Sequence, residues 1–529
     1  MQDTESPYSD TFVTSGAHQT ECIDGSTICM LTKFDPDGEV VWSTFYGGQG
    51  VRTNGISIDA NNNIYLAGFT GSTTGIATPG AFQPTIVTNE NGENYPNGFI
   101  AKFNANGVLQ WGTYFPNSIF AITADAQGNI YVAGKTFRTT GISTSGTFQT
   151  DYLIPEEENG GLVGNGYLNK FDTHGNREWG TYYGFAGTIG VGVDEFGSVY
   201  MAGQATEEGT GFFATPNSHQ SQQGSGFLTK FNDIGNRVWS TYYGNPNTAQ
   251  ESTVIYDLQV YKNEIYLGGI TSSTDNIASS GAHQTILAGS IDTFLAKFDI
   301  YGQREWGTYY GGEDIDFDNI FAYSGKMVSF LDNHIYFTSS TQSTTGIATA
   351  GAFKETYNAN GFTDNFIAKF TKQGERVWGT YYGGDKIESA SGVLPIGDDA
   401  FYIYGTTGSS NGIATNNAYQ PSLERNFNTD YNVFNAYLVK FEPSLGLDSF
   451  KDTQVLLYPN PNDGEFTIGA VQEANLKLYN LHGQLVHEVV SQPGDNELRV
   501  DARHLSAGIY FAVVGNKEGE LKTIKVVIE

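Results

Sequence analysis

The chain has 529 residues, with 27 Lys plus Arg against 57 Asp plus Glu, for a formal net charge of -30. That acidity argues against a nucleic-acid partner, which needs a basic face, and against docking on an anionic membrane surface. The aromatic content of 14% argues against disorder, and no apolar run reaches the length of about 18 residues that a transmembrane helix requires. With 66 glycines and only 16% charged residues, the composition is that of a turn-rich, all-β protein.

Taken from the start, Met1-Gln2-Asp3-Thr4-Glu5-Ser6 has neither a basic nor an apolar region, so as written it is not a signal peptide. Cys22 and Cys29 follow, separated by six residues. Two readings stand: a small disulfide loop in an exporting context, or two thiols with one buried in a strand.

A repeat then organises the chain. A Lys-Phe pair closes an apolar segment seven times, at Lys33, Lys102, Lys170, Lys230, Lys297, Lys369 and Lys440. Nine residues after each of the first six lysines stands a tryptophan: Trp42, Trp111, Trp179, Trp239, Trp306 and Trp378, all six in the protein. A second unit, close to Asn-Ile-Tyr-Leu-Ala-Gly, recurs around Tyr65, Tyr131, Tyr200, Tyr266, Tyr336 and Tyr402. A third recurs seven times, as in Gly16-Ala-His-Gln19, Gly80-Ala-Phe-Gln83 and Gly351-Ala-Phe-Lys354.

Within one repeat, the stretches 55–59, 64–68, 99–103 and 108–115 read as four short strands, a to d, with turn residues between them. Four antiparallel strands per repeat make a β-propeller blade, which fits better than a stacked solenoid. The chain opens on c and d, and its last copy ends on c at Phe441. This predicts a seven-bladed ring with an incomplete first blade, preceded by a stretch of roughly one repeat that carries strands d, a and b together with a signal peptide.

The repeated residues read mostly as structure. Each tryptophan is expected to pack between blades, and each lysine of the Lys-Phe pair to lie on a solvated strand face. His18, His219 and His283 share a position that other copies fill with Phe or Tyr, so packing is expected there rather than metal ligation. Turns such as Asp125-Ala-Gln-Gly-Asn129 are explained by Asx-turn hydrogen bonds. The acidic run Glu313-Asp-Ile-Asp-Phe-Asp-Asn319 alternates with Ile and Phe, which suggests a strand edge, whereas calcium needs six to eight converging oxygens. No nucleophile elbow, zinc helix or phosphate loop is present, nothing calls for a cofactor, and no blade carries a conspicuously odd acid at a recurring position. Paired carboxylates for glycoside chemistry need not be neighbours in sequence and stay open.

Beyond the repeat, residues 443–450 read as a linker after a propeller domain of 1–442, and residues 451–529 as a small β-sandwich of about seven strands. Tyr458-Pro459-Asn460-Pro461, then Gly464-Glu-Phe-Thr-Ile468, then Leu478-Tyr-Asn-Leu-His-Gly483, then Leu505-Ser-Ala-Gly508-Ile-Tyr510-Phe511, with 522–528 at the end, occur in that order. Together they resemble the type A sorting domain of the Bacteroidota type IX secretion system. The resemblance implies an Ig-like sandwich that addresses its cargo to an outer-membrane translocon. It also implies cargo that is released or held at the outer-membrane surface. The preceding repeats resemble the SBBP-type repeats found in such cargo.

The resulting expectation is a secreted or cell-surface propeller acting as a binding or adhesion module. Its long b–c loops (85–97, 150–165 and 421–435) suit a polar, cationic or glycan ligand. The alternative is an extracellular polysaccharide hydrolase or lyase built on the same ring.

Overall fold

The computed structural model describes residues 13–21, 28–88, 97–154, 164–206, 211–246, 251–317, 326–357, 362–397, 399–415, 418–422, 435–442, 456–469, 475–481, 483–490, 497–515 and 521–529. It divides into two compact units, Met1–Gly397 with Phe401–Lys440, and Phe441–Glu529 with Asp398–Ala400.

Among the described residues, the first unit holds seven antiparallel sheets in chain order. Blade 1 has strands c and d, Cys29–Phe34 and Val40–Tyr46. Blade 2 has all four: Val51–Ile58, Ile64–Thr70, Asn97–Phe103 and Leu109–Phe115. Blades 3 to 6 repeat that a-b-c-d order, and blade 7 has a, b and c: Glu388–Gly397, Ala400–Thr407 and Asn435–Phe441. The short β-branched and aromatic runs form strands, and those of the blade middle are buried on both faces between neighbouring sheets; strand c of blade 2 is buried at all seven positions. Turns between strands are closed by aspartate, as in Asp125, whose Oδ1 accepts from the backbone N–H groups of Gln127 and Asn129 at 3.0 and 2.8 Å.

Adjacent blades are joined by one repeated contact. The indole Nε1 of Trp42, Trp111, Trp179, Trp239 and Trp306 donates to a carbonyl in the c–d turn of the next blade (Ala105, Thr173, Asp233, Ile300 and Lys372) at 2.8–3.1 Å. The glycine of that turn lies flat against the indole. Gly235 has φ +79°, and a Cβ built on it would stand 2.8 Å from Trp179 Cε3. A second contact sets the aromatic of the third repeat unit on the next blade's Lys-Phe phenylalanine. It recurs in His18–Phe103, Phe82–Phe171, His219–Phe298 and His283–Phe370, with ring centroids 5.5–6.0 Å apart.

The seventh sheet meets the first in the same way. Tyr419 packs on Phe34 at 6.4 Å. Lys440 Nζ and the Tyr402 hydroxyl both donate to Pro36 O, in the c–d turn of blade 1, at 2.9 and 3.2 Å. Lys33 Nζ and Lys102 Nζ make the corresponding bonds to Ala105 O and Thr173 O at 3.4 and 3.1 Å. The ring therefore closes on seven sheets.

Three of the seven lysines differ from the solvated face expected of them, while Lys33 is exposed. Lys102, Lys297 and Lys369 are buried, and their ammonium groups lie 5.3–5.9 Å from the ring centroids of Tyr65, Tyr266 and Tyr336, their cross-strand partners. The alternation that turns each lysine away from its apolar neighbours turns it into the next blade, and cation–π attraction with turn carbonyls replaces water there.

The second unit is two sheets, one of three strands (Leu456–Tyr458, Glu465–Gly469 and Glu497–Asp501) and one of four (Asn475–Tyr479, Leu485–Val490, Gly508–Gly515 and Leu521–Ile528). They enclose their own core of Phe466, Ile468, Leu476, Leu478, Leu498, Val500, Tyr510, Val514, Val526 and Ile528.

Gly235→Ala should destabilise the protein by about 2–4 kcal/mol, from positive φ plus overlap with the indole. Gly197→Ala, at a turn with the same φ of +80° but nothing within 4 Å of the added Cβ, should cost only about 1–2 kcal/mol. Equal losses in urea melts of the two variants would show that the indole contact adds nothing.

Candidate site in the propeller channel

The inner strands of blades 2 to 5 run side by side around the propeller axis. Glycine brings them together: an added Cβ at Gly55 would stand 2.8 Å from Ile122 Cγ2, and one at Gly190 would stand 2.7 Å from Leu258 Cβ. These strands, with Lys326 and Tyr404, line a cavity of about 310 Å³.

Two of its lining residues break the repeat. Each inner strand pairs with strand b, and register places Gly55 opposite Ala67, Ala121 opposite Ala133, Gly190 opposite Ala202 and Asp257 opposite Gly268. Asp257 thus stands where its equivalents are Gly, Ala and Gly. The strand-b position reads Ala67, Ala133, Ala202, Gly268 and Thr338 in blades 2 to 6 and Tyr404 in blade 7. The Tyr404 ring reaches the channel past Gly392, where an added Cβ would stand 2.3 Å from the phenol oxygen.

Asp257 accepts from Gln259 Nε2 at 2.6 Å and from Val328 N at 2.8 Å. Burial pushes its carboxyl up, against those two bonds and the pull of the Lys326 ammonium. Lys326 is anchored by its backbone, whose N–H donates to Ser391 O at 2.7 Å, while its side chain is exposed to the cavity. Burial and the Asp257 charge push the Tyr404 phenol up to about 12, so it is a donor at neutral pH. Among the described residues, neither the Tyr404 hydroxyl nor Lys326 Nζ has a hydrogen-bond partner. The expectation that no blade carries an odd acid is therefore corrected. Asp257 lies four residues before the a–b turn, as do Gly55, Ala121 and Gly190, and counting back from that turn exposes it in the sequence.

Carboxylate pairs do form, but elsewhere. Asp292 and Asp316 flank Gly311, where an added Cβ would stand 2.9 Å from Asp292 Oδ1 and 2.3 Å from Asp316 Oδ2. Asp364 and Glu388 flank Gly383 in the same way. All four are 0% exposed. Asp316 accepts from the Thr341 hydroxyl and from Gly312 N at 2.7 Å. Burial and the nearby Asp292 charge push its carboxyl up to about 7 against those bonds. Asp292 accepts from Gln284 Nε2 at 2.7 Å, and where Asp364 replaces it in blade 6, Lys354 replaces the glutamine, its Nζ 2.7 Å from Asp364 Oδ2. Glycoside cleavage needs a sugar between its two carboxyls, and these pairs present no open face. Glu313 lies beside them: hydrogen bonds from Thr344 and Thr345 outweigh burial and hold its carboxyl down at about 2.

The histidines of the third repeat unit pack on rings as described above, and burial lowers His219 and His283 to about 4. Cys29 is buried in strand c of blade 1, and its Sγ accepts from the Thr53 hydroxyl at 3.0 Å; Cys22 lies outside the described residues. So do residues 89–96, 155–163 and 423–434, the greater part of the long b–c loops, and the linker at 443–450.

In the tail, the structure brings together the motifs at 458–464 and the terminal strand. Asn460 Nδ2 donates to Lys525 O at 2.8 Å, and Asn460 Oδ1 accepts from Val527 N at 2.9 Å. Tyr458-Pro459 and Asn460-Pro461 are cis, and the Tyr458 hydroxyl donates to Glu497 at 2.9 Å. Gly464, at φ +95°, backs onto Arg503, with 2.7 Å from its added Cβ to the Arg503 Cα. Gly483 closes a turn by donating to Asn480 O at 2.9 Å. Tyr510, which follows Gly508 in its strand, is buried, and its hydroxyl donates to Ser506 O at 2.7 Å.

Residues 456–529 match the family described as the secretion system C-terminal sorting domain. The tail is similar to a secretion sorting domain. Over 459 residues, 74% of its length, the chain is 22% identical to an uncharacterized WD repeat-containing protein, L264, of Acanthamoeba polyphaga mimivirus, and the match takes in 33% of that protein. Among solved structures it is similar to the Dos1 propeller, at 8% identity and a TM-score of 0.32, covering 90% of this chain and 93% of that one. It is also similar to sucrose-6-phosphate hydrolase from Lactobacillus gasseri, at 10% identity and a TM-score of 0.30, covering 90% and 86%.

Because the folded Asp316 holds its proton more tightly than an ordinary aspartate, its contribution to stability falls as pH rises from about 4 to about 7. Asp316→Asn removes that loss. The melting temperature of the variant should gain on the parent across this window, and a constant difference between the two melting curves would contradict the assignment.

Proposed function

We propose that the chain is a secreted or cell-surface β-propeller, of SBBP-type repeats, that is exported through the type IX system by its sorting domain and acts as a binding module. One observation carries the reading: the residues that depart from the blade repeat, Asp257 and Tyr404, meet in one channel cavity, while the carboxylate pairs are buried and hydrogen-bonded. A cavity of that size with a few convergent polar groups suits a small polar ligand or the end of a larger one. The hydrolase or lyase reading has one observation in its favour, the Asp316 carboxyl poised at about 7 beside Asp292. A glycan array and a turnover screen on the full chain separate the two: retained ligand without product supports the binding module, and released product supports the enzyme.

For export, the propeller behind a signal peptide but without residues 451–529 should accumulate in the periplasm of a host with type IX machinery. The same residues fused to an unrelated signal-bearing passenger should carry it across the outer membrane. A passenger that stays periplasmic while native cargo crosses would overturn the export assignment. Asn460→Ala removes both bonds to the terminal strand and should destabilise the isolated tail by about 1–3 kcal/mol, measured by thermal melting.

A further inference from the structure

The channel wall at blades 5 to 7 has a definite chemistry. Asp257 is internally satisfied: one oxygen accepts from Gln259 and the other from Val328 N. Its charge faces inward to the Lys326 ammonium and the Tyr404 ring. What remains unspent toward the cavity is donors. Lys326 Nζ carries three N–H groups and Tyr404 one O–H, and neither has a partner among the described residues. The lining from blades 2 to 4 includes Ile56, Ile122 and Val191 with the polar Asn54, Ser57 and Thr123, and carries no side-chain charge.

We propose that this cavity is a binding subsite for the carboxylate of a small polar molecule, one oxygen on the Lys326 ammonium and the other on the Tyr404 hydroxyl. The inference rests on the channel reading above and names its ligand class. A carboxylate meets both donors with charge-assisted bonds, whereas a cation would face the Lys326 ammonium, and each Asp257 oxygen already accepts one bond. The net charge of -30 does not forbid it, since charges beyond a screening length of about 8 Å at physiological salt contribute little. The volume of about 310 Å³ admits a single sugar acid or amino acid, and both present the same carboxylate.

Titration calorimetry on the full chain tests this, with galacturonate, glutamate and galactose as probes. Galacturonate or glutamate should bind and galactose should not, and whichever acid binds more tightly identifies the source of the carboxylate. Lys326→Gln should weaken binding at least 10-fold, and Tyr404→Phe about 10- to 100-fold, as for loss of one hydrogen bond to a charged group. Both side chains face the cavity, so melting curves should stay close to the parent's; a variant that melts early is replaced by Lys326→Met, read in the same way. Galactose binding as tightly as galacturonate, neither acid binding, or Lys326 variants binding the acid unchanged would each overturn the proposal. If galactose binds and Tyr404→Phe abolishes it, the carboxylate assignment fails while the binding module stands. Product release from an array glycan with no retained ligand would remove the binding module itself.

Discussion

The seat of each tryptophan on the next blade's turn is the contact on which the ring depends. A sheet buried on both faces needs a neighbour on each side, and the indole supplies that contact with a fixed direction: its ring lies on a glycine, and its N–H reaches the carbonyl beside it. Only a residue without Cβ can occupy a left-handed turn position so close to an aromatic face. The turn glycine and the tryptophan about 60 residues before it are therefore one feature, although they belong to different blades. Because blades 2 to 6 carry both halves, stability accrues junction by junction, as in other repeat architectures.

Charge is handled inside the same scheme. The lysines of the Lys-Phe pairs lie between blades, over tyrosine rings and against turn carbonyls or carboxylates such as Glu264, 2.7 Å from Lys297. At the other ends of the strands, Asn, Asp, Gln and Lys exchange places in concert. Gln83 donates to Asn97, Gln284 to Asp292 and Lys354 to Asp364. The geometry is kept while the charge changes, which is how a ring of near-identical blades acquires a side that differs from the rest.

The tail follows a different logic. Its motifs are scattered over 70 residues of sequence, yet Asn460 and Asn462 both bond the terminal strand, Asn462 through its own N–H to Val527 O at 2.9 Å. The segment 458–464 and the terminal strand are thus one structural element, held in register by a loop that precedes most of the sandwich.

The sequence by itself determined what depends on local pattern: four strands per repeat, the turns that separate them, the packing role of Trp42 through Trp306, and the short strands of the tail. These are set by side-chain alternation and turn chemistry, which act over a few residues. Closure of the ring was decided by tertiary structure, because Lys440 and Pro36 are 404 residues apart and no local rule brings them together. Burial of the lysines was decided there too, since alternation says which side of a strand a residue takes but not what lies against that side. The channel site belongs to both. Asp257 and Tyr404 are visible in the sequence as departures from the repeat, on strands of two different blades. Only the ring places those two residues, from blades 5 and 7, at one cavity.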